Sequence, residues 1–219
     1  VAQEVNDAGG KALPYQIDVR DDKAITDLAK TAMDHFKSID IVINNAGAIY
    51  LTDTLSTEAK QFDLMMGVNA RATFLLSRAC VSYMKNGGHI LNLSPPIKME
   101  SHWLSPHVAY TMSKFGMSMC TLGMAEEFKR DNIAVNSLWP KTLIYTAAIT
   151  RLMGKEAEKN CRKPEIIADC AAWIFKQDPR EITGNLFSDE EVMARAGVKD
   201  LTKYNCTKDA NLLPDLYVL

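Results

Sequence analysis

The chain has 219 residues, 47% of them hydrophobic and 24% charged, with a formal net charge of −2 and a pI of about 6.1. That length supports one domain with a core of useful size. The balanced charge gives no electrostatic case for nucleic acid or an anionic membrane surface, and no apolar run approaches the roughly 20 residues of a membrane span.

In chain order, strand and helix patterns alternate. Val1 to Ala8 reads as the end of a helix stopped by Gly9-Gly10. Ala12 to Val19 reads as a strand, and Asp21 or Asp22 as the cap of a helix whose apolar positions Ile25, Leu28, Ala29, Ala32, Met33 and Phe36 recur at i, i+3, i+4. Ile39 to Ile43 is a strand closing in Asn44-Asn45-Ala46-Gly47. A helix is predicted from about Thr57 to Met84, broken by Gly87-Gly88, and a strand over His89 to Leu93 ends in Ser94-Pro95-Pro96. Further on come a helix from about Pro106 to Lys129, a strand from Ile133 to Trp139 stopped by Pro140, a helix from Pro164 to Phe175 and a short strand from Gly184 to Phe187. Apolar strands separated by helical stretches predict an α/β fold, a doubly wound parallel sheet covered on both faces, with ligands at the carboxyl ends of the strands. Residues 1–190 form the expected domain, and 191–219 a polar tail of the same domain.

Cys80, Cys120, Cys161, Cys170 and Cys206 are odd in number and form no CxxC, which argues against a disulfide framework and a zinc site and favours a reducing interior. His35, His89, His102 and His107 show no metal-ligand spacing, so no metal is expected. The chain starts at Val1, so its lack of a targeting segment carries little weight.

The residues that carry chemistry are Tyr110 and Lys114, four apart in a helical run and so on one helix face. A cation beside a phenol favours phenolate and lowers its pKa from about 10. The tyrosine then becomes able to exchange a proton, as carbonyl reduction or alcohol oxidation requires. Tyr204 and Lys208 have the same spacing in the tail, where both read as solvated and idle.

Asp18, Asn44-Asn45-Ala46-Gly47, Val68-Asn69, Asn92-Leu93-Ser94 and Tyr110-x-x-x-Lys114 follow one another in an order that resembles the short-chain dehydrogenase/reductase family over nearly the whole chain. Longer phrases, among them Gly123-Met124-Ala125-Glu126-Glu127-Phe128 and Ile166-Ile167-Ala168-Asp169, are similar to a hydroxysteroid dehydrogenase-like branch in which a sterol-carrier-like domain follows. The resemblance implies an NAD(P)-dependent oxidoreductase acting on a small lipophilic carbonyl or alcohol in lipid metabolism, peroxisomal or mitochondrial, with NADP favoured over NAD. Tyr110 would be the catalytic acid/base. Lys114 would bind the nicotinamide ribose and depress the tyrosine pKa, and Asn69 would hold a water that resupplies protons. Asp18 would accept from the adenine amino group, Asn45, Ala46 and Gly47 would line the adenosine ribose, and Pro140 would touch the carboxamide. The helices bearing Asn69 and Tyr110, with apolar positions Leu75, Leu76, Cys80, Met117, Met119 and Leu122, could pair between subunits.

Three departures temper that reading. No glycine cluster forms the phosphate-cradling turn with which the family opens, and the first two strands are not represented. The family's carbonyl-polarising serine aligns with Pro95, leaving Ser94 beside it facing the other way. Lys141 stands where Gly is usual. The chain is therefore expected to be a fragment or splice form that binds dinucleotide poorly and is inactive as it stands. The alternative is a non-catalytic nucleotide- or lipid-binding module that keeps the fold.

Overall fold

The computed structural model describes residues 1–218. Its elements are α1 (Ala2–Asp7), α2 (Asp22–Phe36), β1 (Ile41–Asn44), α3 (Ala59–Met65), a π-helical segment (Met66–Arg71), α4 (Ala72–Val81), β2 (Gly88–Asn92), α5 (Ser101–Leu104), α6 (Val108–Glu127), β3 (Ile133–Trp139), α7 (Ala147–Met153), α8 (Glu165–Ile174), β4 (Leu186–Ser188) and α9 (Asp189–Arg195). The four strands form a parallel sheet in the order β1-β2-β3-β4. All seven residues of β3 are buried, as expected of a central strand covered on both faces.

Alternation within the strands divides the core. Ile90, Ile133 and Val135 pack with Val42, Cys80, Met84 and Met124 on one face. Leu91, Leu138 and Phe187 pack with Ile166, Cys170 and Ile174 of α8 on the other. Asp21, of the two candidates, caps α2, its carboxylate accepting from the N–H groups of Lys23 and Ala24.

Ala12 to Val19 is not a strand; the structure shows no ladder there. A strand exists only by pairing, and no described strand lies beyond the outer edge of β1. The segment is tied by side chains at its ends: Ala12 N donates to Asn6 Oδ1 at 3.0 Å, and Arg20 Nη2 donates to Asp18 Oδ2 at 2.6 Å. On β1, Ile41 and Ile43 remain 44% and 47% exposed, so this end of the sheet is covered on one face only.

The tail also differs from its sequence reading. Tyr217 is fully buried against Trp103, Phe115 and Trp139. Tyr204 is buried as well, its hydroxyl 2.5 Å from Asp169 Oδ2, so this tyrosine is packed rather than solvated. The tail begins within α9, whose Val192 and Met193 are buried, and Tyr204 sits in a short 3-10 turn, while Tyr217 is buried from a segment that is neither helix nor strand. Cys161 and Cys206, far apart in sequence, are neighbours across an antiparallel bridge, with Cys206 N donating to Cys161 O at 3.1 Å; all five thiols are free.

Candidate active site

The carboxyl ends of β1, β2 and β3, α6, α7, α8 and the segment Leu213–Leu216 enclose a cavity of about 840 Å³. Its walls are apolar, and of the residues lining it only Lys114 and Asp215 are charged. Size and lining fit a site for a small lipophilic molecule.

Tyr110 and Lys114 reach this cavity from α6. The helix is set close to the π segment by Gly116, where an added Cβ would come within 2.8 Å of Ala70 Cβ. Lys114 Nζ donates to Leu93 O at 2.5 Å and lies 3.3 Å from Met117 Sδ and 5.0 Å from the Trp139 ring centre. Spacing thus brings phenol and ammonium to one cavity, but not into a mutual hydrogen bond. Nor is the phenol acidified. Burial, then the charges of Tyr217 and Asp215, push the Tyr110 phenol well above its ordinary range, while burial pulls Lys114 down to about 7. The expectation that Lys114 lowers the Tyr110 pKa is corrected for the protein in this state, since desolvation outweighs a cation already committed to Leu93 O.

Asn69 sits fully buried in the π segment, a helix form that often marks functional sites. Its Oδ1 accepts from Ala48 N at 2.8 Å, and its Nδ2 donates to Ala48 O at 2.9 Å and Ser113 Oγ at 2.8 Å. The side chain therefore clamps the loop after β1 to α6 and is fully engaged in doing so. Asn44 and Asn92 are scaffold: Asn44 Nδ2 donates to Asn92 Oδ1 and Ser77 Oγ, and Asn92 Nδ2 to Thr121 Oγ1. Asn45 lines the main cavity, and with Ala46 a small cleft beside β1. At Gly47 an added Cβ would meet nothing closer than Asn69 Oδ1 at 3.5 Å, so packing within the chain does not demand a glycine there. Asp18 lines neither space; Arg20 holds it in an ion pair at 2.6 Å and keeps its carboxyl down at about 2.

Pro140 lines the cavity. Ser94 is fully buried, lies outside the lining, and its Oγ has no hydrogen-bond partner among the described residues. Pro95 O accepts from Ser118 Oγ at 2.6 Å, which fixes the strand end in this pose. Sequence reading missed Asp215, whose Pro-Asp context in a polar tail reads as a turn. It also missed Trp139, which appeared only as a strand terminus. Among the described residues no cluster of His, Cys, Asp or Glu is placed to hold a metal, and no helix is long and apolar enough to cross a membrane.

A parallel sheet with an apolar cavity at its carboxyl edge, entered by a tyrosine and a lysine from one helix, defines a Rossmann-like oxidoreductase. Residues 1–189 match a family model described as enoyl-(acyl carrier protein) reductase. Hydroxysteroid dehydrogenase-like protein 2 of Rattus norvegicus is 51% identical over 219 residues, 99% of this chain and 41% of that protein. A short chain dehydrogenase from Mycobacterium thermoresistibile superposes with a TM-score of 0.93 at 42% identity, over 99% of this chain and 78% of that one. The angucycline C-6 ketoreductase LanV with bound NADP superposes with a TM-score of 0.73 at 26% identity, over 86% and 77%. The chain belongs to the short-chain dehydrogenase/reductase family. It spans about half the length of the curated relatives it matches.

Proposed function

We propose that the site reduces a lipophilic carbonyl compound, or oxidises the corresponding alcohol, with a nicotinamide dinucleotide as partner. The observation that carries this reading is that Tyr110 and Lys114 open into one apolar cavity at the carboxyl edge of the sheet. The nicotinamide would supply the hydride. Tyr110, protonated throughout the neutral range, would give its proton to the substrate oxygen, and the apolar walls would orient the substrate and exclude water. Lys114 would turn from Leu93 O toward the ribose and the phenol, lowering the tyrosine pKa only then.

The chain fits this partner at one end. Lys114 and Pro140 would hold the nicotinamide and its ribose, and Asn45, Ala46 and Gly47 the adenosine ribose, with Asp18 released from Arg20 to meet the adenine. The space beside Gly47, where an added Cβ would meet nothing closer than 3.5 Å, leaves room for close approach by a ligand. At the pyrophosphate the fit fails, because the chain carries no glycine-rich turn. We therefore propose that dinucleotide binds weakly and that the chain is inactive at ordinary cofactor levels. NADP is favoured over NAD by the resemblance. With millimolar NADPH and an apolar ketone the chain is expected to form alcohol slowly. Ketone binding without any alcohol at that concentration would favour the second reading, a lipid-binding module, which the buried Ser94 and the Pro95 at the usual serine position support.

Self-association through α4 and α6 is proposed from Phe74, Met112, Met119 and Leu122, which are 44–62% exposed. Leu75, Cys80 and Met117 are buried in their own protomer and take no part.

A further inference from the structure

This inference rests on the oxidoreductase reading and deepens it. We propose that Asp215 is a second polar subsite of the cavity, accepting a hydrogen bond from a hydroxyl group remote from the carbon that reacts at Tyr110. The substrate class is then a hydroxylated lipophilic ketone, or the matching diol in the reverse direction.

Asp215 Oδ1 accepts from Leu216 N at 2.7 Å, while Oδ2 accepts from no described residue. A carboxylate has capacity for several donors, and this half-buried one opens its unused oxygen to the cavity it lines. The one cation on the same wall, Lys114, is turned to Leu93 O. Oδ2 is therefore free to accept from a ligand in the cavity, in place of solvent. An ammonium would have to be stripped of water in a largely apolar space, whereas a hydroxyl donates without carrying a charge there. The carboxylate is also held in place. Leu143 N donates to Leu213 O at 3.0 Å, Asp215 N to Lys141 O at 3.2 Å, and Trp139 Nε1 to Leu216 O at 2.9 Å, with Tyr217 buried just beyond. A polar group on so fixed a support can select among substrates by geometry. Burial raises the acid to about 6, which leaves it ionised and accepting at pH 8.

The test is calorimetric titration of the chain at pH 8 with 2-octanone and with 8-hydroxy-2-octanone, a flexible pair differing in one hydroxyl. The hydroxyketone is expected to bind about tenfold tighter or better, as a hydrogen bond to a charged group implies. Asp215→Asn keeps an acceptor for Leu216 N and should bring the ratio within about threefold, with binding of 2-octanone little changed. Equal affinities in the unsubstituted chain, or a ratio that survives Asp215→Asn, would overturn the subsite and leave the oxidoreductase reading standing. A cavity that takes neither ketone would overturn both.

Discussion

Lys114 Nζ donates to the carbonyl of Leu93 at 2.5 Å, which ties the only cation among the described residues lining the cavity to the end of β2 rather than to Tyr110. The ammonium is thus buried with a neutral partner, and burial lowers its pKa from 10.5 to about 7. Between those values the unfolded chain binds the extra proton, so this residue's contribution to stability rises with pH from about 7 to 10.5 and is least favourable below 7. Asp215 has the opposite sense. Its pKa is raised from 3.8 to about 6, so its contribution is complete below 3.8 and is lost as pH climbs through 6. Together the pair places a shallow stability minimum near pH 6–7. Lys114→Met should flatten the alkaline limb and stabilise the chain at pH 6 by on the order of 2 kcal/mol, measured by urea denaturation across pH.

Asn69 satisfies both backbone groups of Ala48. Asn69→Ala would leave the half-buried N–H and C=O of Ala48, and Ser113 Oγ, without these bonds, at a cost of about 1–3 kcal/mol. Hydrogen exchange should show the loss first at Ala48 and its neighbours, before global opening. Unchanged protection there would mean that the clamp is dispensable.

Tyr217 is the keystone of the C-terminal segment. Its ring is fully buried and its hydroxyl lies 2.9 Å from Thr111 Oγ1. Tyr217→Ala should cost about 3–5 kcal/mol, typical of deleting a buried aromatic ring. Because Leu216 and Asp215 precede it on the cavity wall, ketone affinity should fall alongside the denaturation midpoint.

Without a glycine turn to present backbone N–H groups to the pyrophosphate, NADPH is expected to bind with a dissociation constant well above the low-micromolar range. Calorimetry with the 219-residue chain measures this directly, and low-micromolar binding would show that another part of the chain serves as the cradle.

The central strands were legible because β2 and β3 are apolar runs with sharp punctuation. Gly87-Gly88 opens one, where Gly87 has φ +80 and an added Cβ would strike Asn132 O, and Pro140 closes the other. The Ala12–Val19 pattern looks like a strand but has no partner to pair with, and pairing is not written in local sequence. The π turn around Asn69 left no trace in the apolar spacing; only an asparagine inside a helix hinted at it. Four-residue spacing put Tyr110 and Lys114 on one face, yet it does not encode the rotamer that sends Lys114 to Leu93 or the burial that raises the phenol. Asp215 escaped notice because its role depends on where an irregular segment packs, and a polar composition gives no sign of that.

The central claim is that the Tyr110 hydroxyl is the proton donor in the cavity. Single-turnover reduction of 2-octanone at millimolar NADPH, comparing the chain with Tyr110→Phe, tests it most directly. Tyr110→Phe keeps the ring and its packing and removes only the hydroxyl, so the rate is expected to fall by about 100-fold or more while ketone affinity holds. A Tyr110→Phe rate equal to that of the unsubstituted chain would contradict the account.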